Sequence, residues 1–147
     1  MMIIRKATRS DVEEIAKNNV QLAEETESRS ISKITAEQGT SAVLSKERNG
    51  WYLVAEHNHA IIGQLFVTDE WSDWRNQCIW WIHRVYVQKS WRKKGVFTNL
   101  FNELKQKAMH GNVYALRLYV MEKNKKAVAI YKKMEFTNTS FLILEKR

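Results

Sequence analysis

Proline is missing altogether from the 147 residues, glycine occurs five times and cysteine once. With no proline or glycine-rich tract there is no material for a flexible or polyproline linker, so the chain is expected to form one domain over residues 1–147. The single cysteine, Cys78, excludes an intramolecular disulfide; it is expected in the core rather than as a nucleophile. Long hydrophobic runs are missing too. Stretches such as Ile79 to Ile82 fall far short of the roughly 20 apolar residues that span a bilayer, so no membrane partner is expected. Arg5 and Lys6 put charge where a secretory leader would need apolar residues, and a cytoplasmic location follows as an expectation. What is present suffices for a core: 44% of the residues are hydrophobic and 11% aromatic.

The net charge of +8 is unevenly spread. Residues 1–83 carry nine Lys and Arg against twelve Asp and Glu, for −3, whereas residues 84–147 carry fifteen against four, for +11. A cationic C-terminal half favours a polyanionic partner, either nucleic acid or a phosphorylated cofactor, and charge alone does not choose between them or exclude a merely solvated surface.

Patterning supplies the order of elements. Residues 2–7 read as a strand, and Ser10 with Glu13 as a capping box for a helix running to about Glu25. Thr35 and Gln38 repeat that logic for a second helix, which Gly39 weakens. From Trp51 the period becomes strand-like: WYLVAE, a turn at residues 57–59, AIIGQLFVT, then CIWWIHRVYV after the polar stretch 69–77. Phe97, Leu100, Phe101, Leu104 and Ala108 mark an amphipathic helix closed by Gly111. Residues 114–121 alternate as a strand, Asn124 caps a helix through Met134, and TSFLILEK, residues 139–146, reads as a last strand. The predicted order is β-α-α-β-β-β-α-β-α-β, an α/β fold on one mixed sheet.

The most informative stretch is strand, basic turn, glycine, helix: Val85-Tyr86-Val87, then Trp91-Arg92-Lys93-Lys94-Gly95, then a helix from Val96. A helix N-terminus presents unpaired N–H groups and a partial positive charge, so it can hold an anion where the turn permits approach. Arg92-Lys93-Lys94-Gly95-Val96-Phe97 resembles the acetyl-CoA-binding segment of the GNAT superfamily of N-acetyltransferases, Gln/Arg-x-x-Gly-x-Gly/Ala, with Phe97 in place of the final small residue. About thirty residues on, Leu118-Tyr119-Val120, Asn124, Ala127, Tyr131 and Phe136 are similar to the strand and helix that follow in that superfamily, although Glu135 stands where the family usually has glycine.

The resemblance implies a GNAT-type acyl-CoA N-acyltransferase fold with a largely antiparallel sheet. It implies acetyl-CoA as co-substrate, held by residues 92–97, by the backbone near Val85 and Val87, and by Asn124 on the pantetheine or pyrophosphate side. Tyr131 would face the thioester sulfur. Acetyl transfer to an amine needs a neutral nucleophile, stabilisation of an oxyanion and a proton for the departing thiolate. No Cys/His or Ser/His/Asp arrangement argues for a covalent route, so direct attack is expected. Tyr131 is the candidate general acid, against the alternative of a packed helix-face aromatic. His83 is the candidate base because an imidazole titrates in the useful range, with Glu56 as the other choice. His57, His59 and His110 lack the further ligands of a zinc site, and no metal is expected.

For the acceptor, Asp69, Glu70, Trp71, Asp73 and Trp74 combine acids with aromatic faces that suit a cationic amine, such as a polyamine or a lysine-like group on a small molecule or a protein. Glu25, with Glu24 and Glu27, could line the same mouth. The competing reading makes the tryptophans core or homodimer contacts. Two rival functions stand beside the transferase: a catalytically silent acyl-CoA sensor of the same fold, and an RNA-binding module stacking bases on WWIHRVYV.

Overall fold

The computed structural model describes residues 1–147. Five strands form one sheet in sequential order: β1 (Met2–Lys6), β2 (Trp51–His57), β3 (Ala60–Ser72), β4 (Gln77–Val87) and β5 (Val113–Arg117). The first three pairings are antiparallel and β4 with β5 is parallel. Four helices accompany it: α1 (Val12–Glu27), α2 (Lys33–Leu44), α3 (Val96–His110) and α4 (Lys125–Lys133). No helix is long and apolar enough to cross a membrane.

Strand alternation sends side chains to two faces. On one, Leu53, Ala55, Ile62, Leu65, Val67 and Ile82 meet Val96, Leu100, Phe101 and Leu104 of α3. On the other, Tyr52, Val54 and Ile61 meet Ile15 of α1. Each fully buried Leu or Ile contributes about 1.5–3 kcal/mol, so these two clusters dominate the fold's stability. A buried amide chain pins α1 across the sheet: Asn18 donates to Gln64 at 3.0 Å, Gln64 to Asn19 at 2.9 Å, and Asn19 to the Tyr52 hydroxyl at 3.0 Å.

Helix entry differs in detail from the sequence expectation. The first capping box is Thr8 with Asp11, not Ser10 with Glu13. Asp11 accepts from the Thr8 amide at 2.7 Å and from both Arg5 guanidinium nitrogens at 2.8 and 2.9 Å; Thr8-x-x-Asp11 is a local capping pattern overlapping the Ser10–Glu13 one, and the Arg5 bonds come from the preceding strand. Those Arg5 bonds hold the Asp11 carboxyl below the usual carboxylate range. The second helix is capped by Ser32, whose hydroxyl accepts from Thr35 N, and it runs through Gly39. Cys78, expected in the core, is only half-buried.

The turn between β2 and β3 places Asn58 and His59 at φ 49° and 64°, the twist that a two-residue hairpin requires. The expected strand over 114–121 stops at Arg117, and residues 139–146 form no strand. The first difference follows from β4, whose ladder with β5 ends at Trp81 and leaves 118–121 without a partner; the second reflects the absence of any neighbouring strand for the tail.

Candidate active site

The change in β4 is a β-bulge. Gln64 pairs with Tyr86 and Phe66 with His83, so Leu65 alone opposes Arg84 and Val85. Arg84 takes φ 52° to accommodate the extra residue, and the strand bends there. β5 pairs with β4 only as far as Trp81 with Arg117; beyond that pair the strands diverge. The result is a cleft between residues 82–87 and residues 118–121. Gln88 N donates to Ile62 O at 2.9 Å, so by the alternation of an antiparallel ladder the backbone groups of Val87 and Val85 point the other way, into the cleft. The Val87 carbonyl is accordingly free to accept Arg92 Nε at 2.8 Å.

At the end of β4 the chain turns into α3. Arg92 N donates to Lys89 O at 3.3 Å and Asn99 N to Gly95 O at 3.0 Å, and the amides of Lys93 through Thr98 find no acceptor in the protein. Lys93 and Gly95 take φ 61° and 81° on either side of Lys94, an alternation that curls successive amides into an anion-binding hollow at the positive end of a helix. Gly63 brings this helix start close to the sheet: a Cβ there would lie 2.6 Å from Val96 Cγ1.

Arg92 leans away from the hollow. Its guanidinium meets the Glu25 carboxylate at 2.6 Å and lies 5.5 Å from the centroid of the Tyr86 ring, while Lys89 approaches the same carboxylate at 3.8 Å. Glu25, expected near an acceptor, therefore joins the end of α1 to the basic turn. Lys93 and Lys94 carry no carboxylate partner, and Lys94 Nζ sits 5.4 Å from the Trp91 ring centroid. The hollow thus keeps two uncompensated cations, and its composition suits a diphosphate.

Tyr131 and His83 lie on opposite faces of the sheet beside the cleft. Tyr131 packs edge-on against Phe97 at 6.0 Å and Phe136 at 5.7 Å, on the α3 side. Phe97, at the position where the motif has a small residue, thereby joins the helix start to the tyrosine. Burial pushes the Tyr131 phenol up to about 12, so it is a proton donor across the whole physiological range. Asn124 caps α4, its Oδ1 accepting from Ala127 N at 3.2 Å.

His83 lies on the α1 side against Phe66 and Tyr119, each 5.6 Å away between ring centroids, with Nε2 2.8 Å from Thr68 Oγ1. Burial first, and the nearby Arg84 charge second, lower its pKa from 6.5. Thr68 had no signal of its own in the sequence, because finding it requires the β3–β4 register, whereas Tyr119 was named only as part of the family-like strand and not as a neighbour of His83. Glu56 lies on β2, with β3 between it and the strand of His83, and is engaged in an ion pair with Arg5 at 2.9 Å. Trp71 and Trp74 are not brought here. They stand exposed at the far end of the β3–β4 hairpin, Trp71 five register positions beyond the Phe66–His83 pair, or ~17 Å at the rise of a strand, and Trp74 in the turn past it. No group of three or more His, Cys, Asp or Glu is placed to hold a metal ion.

The chain matches the Acetyltransferase (GNAT) family over residues 12–136. Among solved structures, a possible acetyltransferase from Clostridium difficile 630 is 36% identical, with 100% of this chain and 97% of that one covered at a TM-score of 0.94. A predicted acetyltransferase with acetyl-CoA from Clostridium acetobutylicum shares the fold at 20% identity, with 99% and 96% covered and a TM-score of 0.78. So does a ribosomal-protein-alanine N-acetyltransferase from Brucella melitensis biovar Abortus 2308, at 17% identity, 100% and 99% coverage and a TM-score of 0.81. The family match spans the bulged strand, the turn of unpaired amides and the helix of Tyr131 together, and the chain belongs to the GNAT family of acetyltransferases.

Proposed function

We propose that this protein transfers the acetyl group of acetyl-CoA to a primary amine by direct attack. The observation that carries the reading is the run of unpaired amides from Lys93 to Thr98 where the bulged strand ends. Acetyl-CoA supplies a thioester carbonyl open to a nucleophile; the protein's contribution is to hold and polarise it and to manage two protons. The hollow at residues 93–98, with Lys93 and Lys94, would take the diphosphate. Backbone groups of Val85 and Val87 would bond the pantetheine, and a cleft-facing amide at the bulge would polarise the carbonyl.

His83 and Tyr131 divide the proton work across the sheet. In the tautomer this reading requires, His83 Nε2–H donates to Thr68 Oγ1, 2.8 Å away, and Nδ1 would accept the proton of the incoming amine. The charge of Arg84, which disfavours an imidazolium at His83, would likewise disfavour an ammonium beside it and favour the reactive neutral amine. On the other face, Tyr131 gives its proton to the departing thiolate.

The test is thiol release from acetyl-CoA across a panel of primary amines, beside thermal unfolding with and without acetyl-CoA. Stabilisation by acetyl-CoA and release that depends on one class of amine is the expected result. Stabilisation with no turnover on any amine would contradict the transferase reading and leave an acyl-CoA sensor. Binding to RNA that weakens steeply with salt, without any response to acetyl-CoA, would contradict both.

A further inference from the structure

Beyond Phe136 the chain makes no backbone-to-backbone hydrogen bond at all. Yet this tail carries Phe141, Leu142, Ile143 and Leu144 in succession, exposed by 73, 86, 68 and 88%. A strand lying on its own sheet hides alternate side chains; here both sets are in water, so neither face of the segment is covered. Four consecutive apolar and β-favouring residues are a costly thing to leave in solvent.

The same molecule has an unmet strand edge. β5 closes the sheet, bonded to β4 on one side and to nothing on the other. The edge continues through residues 118–121, and Tyr114, Tyr119 and Met121 along it are also exposed. Edge and tail are of matching length, about nine residues against eight, and both read as strand in the sequence. The Arg117 guanidinium of its own β5 stands 5.8 Å from the Phe141 ring centroid, but the tail forms no ladder with that edge.

We infer that residues 139–146 pair with the β5 edge of a second copy of this chain, each copy giving its tail to the other. Reciprocity selects this occupant. Every copy brings one free edge and one free strand, so a twofold pair satisfies both at once and closes, whereas an unrelated partner taking one would leave the other exposed. Two exchanged strands also double each contact, which is how so short a segment reaches the roughly 1,200 Å² of a specific interface. The received strand lies beside residues 118–121 and walls the cleft next to Tyr119, the residue that touches His83. The pairing itself requires no acetyl transfer, so its test is separate from that of the reaction.

Sedimentation equilibrium of the full chain, with hydrogen exchange read at residues 141–144, tests it. The expected mass is twice 17.4 kDa, with slow exchange in the tail. Ile143→Pro, which removes a ladder donor, should give the single-chain mass and fast exchange in the tail while helical circular dichroism is kept. If that variant fails to fold, Leu142→Glu with Leu144→Glu serves, since exposed positions tolerate charge in the monomer. A single-chain mass for the unaltered protein overturns the inference whether the tail exchanges fast or slowly, the latter meaning that it folds back on its own edge. A double mass that survives both variants places the contact elsewhere and overturns it as well.

Discussion

Tyr131 shows how surroundings suit a single residue to the role proposed for it. Packed on Phe97 and Phe136 with its phenol pushed up to about 12, it stays protonated wherever the enzyme is assayed. Tyr131→Phe keeps the packing and removes only the proton, so kcat should fall at least about tenfold with acetyl-CoA affinity nearly unchanged, which single-turnover and equilibrium measurements separate. Unchanged turnover would take Tyr131 out of the mechanism. His83 gives the complementary signature. Its folded pKa lies below 6.5, and its working form is the neutral one, present above that pKa. With the amine saturating, kcat should therefore hold steady as pH falls from neutrality to about 6.5 and decline only below it, and His83→Gln should abolish that limb. A limb at or above 6.5, or one that survives in His83→Gln, would reassign the base. Tyr131 and His83 are candidates that the sequence offered, the first through the resemblance to the superfamily's strand and helix and the second by its place two residues before Val85. Thr68, which orients His83, was not among them, because it lies fifteen residues away and is joined to it only by the register of a bulged hairpin.

At the scale of elements, the turn from β4 into α3 does most to define the site. Gly95 sits at φ 81° with open space around a would-be Cβ. Gly95→Glu therefore costs the fold only the left-handed backbone penalty of about 1–2 kcal/mol. It also sets a carboxylate beside the amides meant for a diphosphate. Acetyl-CoA affinity measured by calorimetry should drop at least about tenfold while the melting transition remains cooperative; retained affinity would put the diphosphate elsewhere. This turn was readable in advance because its strand, basic residues, glycine and helix are contiguous. The caps were readable only to within a few residues, since Thr8-x-x-Asp11 and Ser10-x-x-Glu13 are overlapping local patterns and the bonds from Arg5 on β1 favour the first. The last strand failed for a different reason: TSFLILEK has a strand's composition, but a strand also needs a neighbour, and the chain's own edge does not provide one.

For the whole molecule, the division of charge found in the sequence acquires a location. The cationic half includes the basic turn, with Lys89, Arg92, Lys93 and Lys94, and the start of α4, with Lys125 and Lys126. The acidic half supplies Glu25, which draws the Arg92 side chain aside and leaves the hollow to backbone amides and two lysines. What the sequence could not convey is the bulge at Arg84 and the parting of β4 from β5, because both arise from pairings between distant segments. Together they place an opening through the sheet with His83 on one face and Tyr131 on the other. A crystal structure with acetyl-CoA bound tests this arrangement most directly. The account predicts the diphosphate oxygens within hydrogen-bonding distance of the amides between Lys93 and Thr98, with the sulfur on the Tyr131 side of the cleft; a diphosphate seated on any other part of the surface would contradict it.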